Sequence, residues 1–220
     1  DQSIPFTAAR ARNAGAEALL AGGSLDLVQF VDGDCRVEAA WLEAGTAAMQ
    51  ADPDLGLVTG WRTELHPEAT VYNQMCEVDW HRPAGPIETS GGDMMVRVAG
   101  FRQVGGFNPD LIAGEDPEFS LRLGKAGWRL ERLPVLMTWH DADMTRFGQW
   151  WQRTVRTGHC FAEIGRMHPP HFRREIQRIW LYGLALPLLF LLGLLVSPWL
   201  SLAVLGLYAL SFAKTLKGLS

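Results

Sequence analysis

Cysteine is scarce in this sequence of 220 residues. Cys35, Cys76 and Cys160 are odd in number, lie far apart and form no CxxC pattern. Secreted disulfide frameworks and structural zinc sites both use paired, closely spaced cysteines. The pattern therefore argues against both classes and fits a reducing cytosol.

Charge is absent from residues 179–213 and unevenly distributed elsewhere. Residues 1–145 have a balance of −11, whereas residues 146–178 carry seven arginines against two glutamates. We therefore expect an acidic domain at 1–145, a basic amphipathic segment at 146–178, and one or two transmembrane helices at 179–213. An acidic domain of this kind predicts no nucleic-acid partner.

The uncharged run is long enough to enter a bilayer. A helix needs roughly 20 apolar residues to cross; residues 179–196 supply one crossing, and residues 200–213 can return after a Ser-Pro-Trp turn. Arginines precede the run and lysines follow it, which places both ends in the cytoplasm by the positive-inside rule. We expect a transmembrane hairpin in the inner membrane with a cytoplasmic catalytic domain. One span followed by an interfacial segment is the alternative.

Short apolar runs alternate with helical patterns through the acidic domain. Thr7 and Gly22 are the expected first cap and stop of a helix. The predicted helices cover 6–23, 37–51, 70–82, 101–107 and 116–127, and the predicted strands cover 25–31, 55–65, 90–98, 128–134 and 135–140. This alternation predicts an α/β layered domain with a mainly parallel sheet.

Residues 146–165 have a different pattern. Trp150 and Trp151 fall on one helical face, and Arg153 and Arg156 fall on the opposite side. An amphipathic helix with paired Trp and Arg before an apolar run suits a lipid interface, where these side chains could contact lipid headgroups or an acceptor phosphate. An ordinary surface helix is the alternative.

Two carboxylates follow the first predicted strand. Asp32 and Asp34, separated by Gly33, stand where ligands of open α/β sheets bind. Hard oxygen donors suit Mg²⁺ or Mn²⁺, and such a cation would let an acidic domain hold a nucleoside diphosphate. His140, after another apolar run, could add a nitrogen ligand. A simple Asp-Gly-Asp turn and a hydrogen-bonded histidine are the structural alternatives.

A second acidic pair, Glu115 and Asp116, precedes Pro117 at the start of a predicted helix. Asp116 could be a general base that deprotonates an acceptor hydroxyl. It could equally be a helix N-cap, since Asp before Pro is a favoured cap. The helix dipole lowers the pKa of such a carboxyl, whereas burial and a neighbouring carboxylate raise it.

Several segments resemble the family 2 glycosyltransferases of GT-A fold. In chain order they are ARNAG (11–15), VQFVDGD (28–34), SGGDMMVR (90–97), VGGFNPDLIAGEDPEFSLRLGKAGW (104–128) and the late His140. The resemblance covers about residues 5–165, and the order and spacing are more specific than any single motif. It implies a partial GT-A domain, a Rossmann-like mixed sheet flanked by helices.

The resemblance also implies an inverting, metal-dependent sugar transfer from a nucleoside-diphosphate sugar. Asp32 and Asp34 match the D-x-D motif that holds the metal and the diphosphate, with His140 as a further metal ligand. Asp116 matches the catalytic base, and Glu115 is its neighbour. The acceptor hydroxyl would belong to a polysaccharide, a glycolipid or a polyprenyl-linked saccharide.

The donor-binding residues follow from the same resemblance. Arg12 and Asn13 match the A-R-N segment near the donor nucleotide. Gly91, Gly92 and Asp93 match the segment that lines the donor sugar and the acceptor. These five residues complete the expected site.

Two departures accompany the resemblance. Family members begin with a strand–helix–strand segment that nothing before Asp1 supplies, so we expect an N-terminally incomplete domain that is inactive by itself. Residues 149–153 hold the residue types of the Q-x-x-R-W motif in another arrangement, which argues against processive polymerisation. A nucleotidyltransferase and an inactive sugar- or lipid-binding module are the alternative functions.

Overall fold

Helix α1, Ala8–Ala21, begins and ends at the predicted capping residues in the computed structural model, which describes residues 6–80 and 82–219. The Thr7 hydroxyl accepts a hydrogen bond from the Arg10 amide at 3.2 Å. At the other end, the Gly22 amide donates to the Leu19 carbonyl. These bonds satisfy backbone groups that a helix end leaves unpaired.

The remaining elements follow in chain order. The strands are β1 (Leu27–Phe30), β2 (Cys35–Val37), β3 (Leu55–Glu64), β4 (Gly85–Pro86), β5 (Met94–Arg97) and β6 (Arg129–His140). The further helices are α2 (Trp41–Ala51), α3 (Val71–Trp80), α4 (Val98–Val104), α5 (Glu115–Lys125), α6 (Phe147–Met167), α7 (Arg173–Trp180), a π-helical turn (Leu181–Ala185), α8 (Leu186–Val196) and α9 (Pro198–Leu219).

The sheet is mixed, with the order β1-β5-β3-β6-β2 and β4 beside β6. Only β3 and β6 pair in parallel among the described strands, and the other pairs are antiparallel. The expectation of a mainly parallel sheet is therefore wrong. An apolar run shows that a strand is covered on both faces, but it does not specify the direction of its neighbours.

Two further strand predictions need correction. Residues 128–134 and 135–140 form the single strand β6. Pro134 does not interrupt this strand, because it lies where the register between β3 and β6 shifts and no pairing needs its missing N–H. Residues 35–37 were not predicted as a strand, yet they pair with the end of β6. Helix α2 consequently begins at Trp41 rather than at residue 37.

Apolar side chains cover both faces of this sheet. Met94 and Val96 of β5 pack with α1, α4 and α5, whereas Met95 packs with Trp41 and Met49 on α2. Side chains alternate between faces along a strand. The continuous apolar run of β5 therefore contributes side chains to two hydrophobic cores, one on each face of the sheet. Its first residue, Met94, directly follows Asp93.

The chain divides into two compact units, Asp1–Cys160 and Phe161–Ser220. Within the second unit, Arg173–Val196 is the described helix long and apolar enough to cross a membrane by length and composition, and Pro198–Lys214 is a shorter apolar helix. The absent Cβ of Gly193 admits Ser201, whose hydroxyl donates to the Phe190 carbonyl at 2.9 Å. Small residues of this kind bring apolar helices close together.

Replacing Gly60 in β3 by alanine should destabilise the acidic domain. Its new Cβ would lie 2.6 Å from the Val135 carbonyl oxygen and 2.7 Å from the Met137 Cβ. Overpacking of this kind costs about 1–3 kcal/mol, which should lower the melting temperature followed by tryptophan fluorescence. Gly15→Ala is the matched control: it meets nothing within 4 Å and should stabilise α1 by up to about 1 kcal/mol. Equal effects of the two substitutions would contradict this packing.

Candidate active site

Glu115 is the first residue of α5, and Gly114, with a φ of 85°, occupies the N-cap position. The left-handed conformation at Gly114 is one that glycine adopts without strain. The alternative that Asp116 caps the helix is therefore wrong, as is the placement of Pro117 at the first helical position. The Asp116 carboxylate instead lies against Arg12 of α1.

Asp32 and Asp93 meet where β1 ends and β5 begins. Phe30 pairs with Met94 across these strands, and the Asp93 carboxylate accepts a hydrogen bond from the Asp32 amide at 2.8 Å. A Cβ at Gly92 would overlap the Asp32 carboxylate. The Gly-Gly-Asp segment thus brings its backbone against Asp32, as only glycine at position 92 permits.

The guanidinium of Arg12 faces three carboxylates. Its Nη2 lies 2.5 Å from Asp32 Oδ1, and its Nη1 lies 2.5 Å from Glu115 Oε1 and 3.0 Å from Asp116 Oδ1. Helix α1 therefore brings one cation to a point where the loop after β1 and the start of α5 converge. Three carboxyl groups thus share this one guanidinium.

Arg62 is a second cation in the cluster, and the sequence analysis missed it. Its Nη2 lies 2.7 Å from Asp93 Oδ2 and 3.2 Å from Asp32 Oδ2. Thr138 also donates to Asp93 Oδ2, at 2.7 Å. The available signal was an arginine within an otherwise buried strand, since a buried charge needs a partner.

Burial raises the pKa of Asp116 to about 8, with Glu115 and Asp32 adding to the shift and Arg12 opposing it. Only 16% of the side chain is exposed. Arg12 Nη1 lies 3.0 Å from Oδ1 but not in hydrogen-bond geometry, and Oδ1 accepts no hydrogen bond from the described part of the chain. Asp93 behaves differently: burial alone would raise its pKa, but Arg62 and three hydrogen bonds, from the Asp32 amide, Thr138 and Cys35, hold the pKa below its usual value. The two carboxyls can therefore differ in charge near neutral pH.

His140 joins the site from the end of β6. Its Nε2 lies 3.3 Å from Asp34 Oδ2, and its Nδ1 lies 3.4 Å from Glu64 Oε2. The Glu64 carboxylate is buried and also accepts the Ala142 amide at 3.1 Å. A carboxylate on one ring nitrogen leaves the other nitrogen for a metal, which is the usual arrangement of metal-binding histidines.

The predicted metal ligands divide into two neighbouring groups. Asp34 and His140 lie together with Cys35, their ligand atoms within 4.8 Å of one another, whereas Asp32 lies with Cys35 and Asp93. Asp34 is 56% exposed, so its carboxylate can turn towards an ion. A carboxylate and an imidazole nitrogen fit a divalent cation of the expected kind.

Other predicted residues lie farther from these carboxylates or have other partners. Both halves of the Asn13 amide bond the backbone of Phe107, at 2.8 and 2.9 Å, so Asn13 joins α1 to the loop before α5. A Cβ at Gly91 would meet nothing within 4 Å. Neither position shows a contact with the acidic cluster, and their expected role with the donor stays a prediction.

The aromatic residues of α6 face two ways. Trp150 stacks on Tyr72 with ring centroids 6.3 Å apart, whereas Trp151 is exposed. Arg153 lies over the ring of Trp80, whose edge contacts His140 at a centroid distance of 4.4 Å. Trp80 is a residue that the sequence analysis missed, and Arg156 is exposed.

Comparison with known proteins gives consistent matches. The family model described as Glycosyl transferase family group 2 matches residues 27–216. The pre-mycofactocin glycosyltransferase of two Mycobacterium tuberculosis strains is 29% identical over 173 residues, which are 73% of this chain and 35% of the relative. The chain thus spans about a third of the length of these curated relatives.

One similar solved structure is the mannosyltransferase PcManGT from Pyrobaculum calidifontis in complex with GDP-Man and Mn²⁺. It has a TM-score of 0.52 and 18% identity, with 90% of this chain and 53% of that chain covered. At this identity the likeness concerns the fold.

The raised pKa of Asp116 gives a testable pH dependence of stability. Between the ordinary value near 3.8 and the folded value of about 8, the folded chain binds more protons than the unfolded one. Its free energy of unfolding must therefore fall as pH rises through this window. Asp116→Asn cannot titrate, so it should show a shallower fall and a higher melting temperature than the wild type near pH 8 without added metal.

Asp110→Asn is the control for this measurement, because Asp110 is 86% exposed and precedes the same helix. It should reproduce the wild-type pH profile. Parallel profiles of stability against pH for the wild type and Asp116→Asn would show that burial does not raise the pKa of Asp116.

Proposed function

The chain belongs to the glycosyl transferase family group 2, and we propose that it moves a sugar from a nucleoside-diphosphate sugar to an acceptor hydroxyl with inversion at the anomeric carbon. The family match confirms the resemblance to family 2 glycosyltransferases, and the mixed sheet confirms the mixed fold that this resemblance implies. The finer proposal depends on one observation: Asp116, buried and with a raised pKa, opens onto the carboxylate cluster after β1.

Asp116 is the proposed general base. A base works best when its pKa is near the working pH, and burial brings Asp116 to about 8. In the reaction, the acceptor oxygen attacks the anomeric carbon, its proton passes to Asp116, and the bond to the diphosphate breaks. Glu115 shares Arg12 with Asp116 and keeps that guanidinium beside the base.

Asp34 and His140, with Asp32 beside them, are the proposed ligands of a divalent cation. When bound, the cation neutralises charge on the departing diphosphate. The imidazole nitrogen of His140 favours Mn²⁺ over Mg²⁺, because Mg²⁺ prefers an all-oxygen shell. Glu64 holds the His140 ring from its other nitrogen.

The donor side of the site combines cations with a close backbone. Arg12 and Arg62 lie in the carboxylate cluster, where they could turn to a diphosphate once a cation takes over Asp32. Gly91, Gly92 and Asp93 form the proposed wall beside the sugar. The absence of a side chain at position 92 leaves room for the Asp32 carboxylate. Asn13 supports this side by anchoring α1.

We propose that helix α6 faces the lipid surface and that the acceptor reaches the site along this helix. Trp151 presents an exposed apolar face, and Arg153 and Arg156 are exposed cations that suit phosphate groups. Trp150 fixes the helix to the domain through Tyr72. With Arg173–Val196 as a membrane span, the acceptor would be a polysaccharide, a glycolipid or a polyprenyl-linked saccharide at the cytoplasmic face of the inner membrane.

Asp116→Asn in the full-length protein should reduce sugar transfer by roughly 10²- to 10⁴-fold, the usual contribution of a positioned base. Donor affinity should change little, because the amide keeps the shape of the side chain. Nucleoside diphosphate released from UDP-, GDP- and TDP-sugars is the measured product; pyrophosphate would instead indicate nucleotidyl transfer. Asp110→Asn should transfer normally. Normal turnover by Asp116→Asn would exclude Asp116 as the base.

Asp34→Ala should remove the Mn²⁺-dependent part of UDP binding, measured by titration calorimetry with and without the metal. Loss of the Asp34 carboxylate leaves Nε2 of His140 without its oxygen partner. Asp54→Ala is the control, since Asp54 is an exposed aspartate in the turn after α2, and it should bind UDP as the wild type does. Unchanged affinity in Asp34→Ala would count against a metal-bridged diphosphate.

A further inference from the structure

Strand pairing places Cys35 beside His140. The two residues are direct partners in the antiparallel pair of β2 and β6, and Glu64 is the partner of His140 on the other side, in β3. Residues directly opposite each other in a sheet present their side chains to the same face. The Asp141 amide donates to the Asp34 carbonyl at 3.0 Å, which extends this register up to the site.

The donor atoms of Asp34, Cys35 and His140 converge. Cys35 Sγ lies 3.7 Å from Asp34 Oδ1, and His140 Nε2 lies 3.3 Å from Asp34 Oδ2. Zinc forms bonds of about 2.0–2.3 Å, so its tetrahedral ligand atoms are about 3.5 Å apart. The two contacts, each to a different oxygen of Asp34, have that scale, and one ligand atom from each of the three residues lies within 4.8 Å of the others.

The surroundings also suit a bound ion. Glu64 occupies the second nitrogen of His140, as carboxylates commonly do behind zinc-binding histidines. Asp34 is largely exposed while His140 is buried, so the fourth position faces solvent. Three protein ligands with one open position is the arrangement of zinc sites that still exchange a water or another ligand.

We propose that Asp34, Cys35 and His140 form a binding site for Zn²⁺, in which the Cys35 thiolate selects this softer ion over Mg²⁺ and Mn²⁺. Sulfur ligands favour Zn²⁺, whereas the harder ions prefer oxygen. The thiol proton leaves to solvent as the Zn–S bond forms. Zn²⁺ at this site would exclude the cation that transfer needs and would inhibit the enzyme. This inference rests on the proposed function in one respect: Asp34 and His140 are also the proposed ligands of the cation that transfer needs.

Cobalt spectroscopy of the full chain in detergent, under reducing conditions, tests the site without any activity measurement. Co²⁺ bound by a thiolate gives a near-ultraviolet charge-transfer band, which Zn²⁺ should abolish by competition. The band should be present in the wild type and in Cys160→Ser, the matched cysteine control, and absent from Cys35→Ser. Zn²⁺ affinity of Cys35→Ser should fall by roughly tenfold or more, because oxygen replaces sulfur, while Mn²⁺ affinity should persist.

A wild-type protein without the band, or a band that survives in Cys35→Ser, would overturn the proposal. Alkylation of the wild type provides a measurement that needs no folded variant. Zn²⁺ should protect Cys35 from iodoacetamide, as read by peptide mass spectrometry, and Mg²⁺ should not; equal alkylation with both ions would also overturn it. A cobalt–thiolate band without sugar transfer would support this site while refuting the proposed function, and transfer without the band would do the reverse.

Discussion

The guanidinium of Arg12 is the interaction on which the site depends. It is 13% exposed and faces Asp32, Glu115 and Asp116, which belong to segments far apart in the chain. Carboxylates this close repel one another strongly away from water. Arg12 therefore joins α1 to the loop after β1 and to the start of α5. Burial and the two neighbouring carboxylates raise the pKa of Asp116, and Arg12 only partly offsets this shift.

Asp32 connects the two halves of the site. One of its carboxylate oxygens meets Arg12 and the other meets Arg62, which in turn holds Asp93. Its backbone amide also bonds Asp93. A change in what Asp32 binds would therefore alter the surroundings of both arginines at once, although Arg12 keeps Glu115 and Asp116 and Arg62 keeps Asp93. Asp116 and Asp93 are thus linked through Arg12, Asp32 and Arg62.

The parts of this structure that depend on local chemistry could be predicted from the sequence. The caps of α1, the buried strand before Asp32 and the glycine turn after α4 all follow from neighbouring residues. The antiparallel order of the sheet, strand β2 and the contact of Cys35 with His140 depend on pairing between distant segments. Asp116 shows the limit most clearly: the same residues permit a helix cap or a base, and the position of Gly114 at the N-cap excludes only the cap.

Trp80 shows how tertiary contacts link regions that the sequence analysis treated separately. Its ring contacts His140, Arg62 and Arg153, so one aromatic side chain touches the proposed metal ligand, a cation of the carboxylate cluster and helix α6. Cations over an aromatic face are stabilised by its quadrupole. A displacement of α6 would therefore change the packing around His140. Because α6 carries the residues proposed to face lipid, this ring would link contact with a membrane to the geometry of the proposed metal ligands.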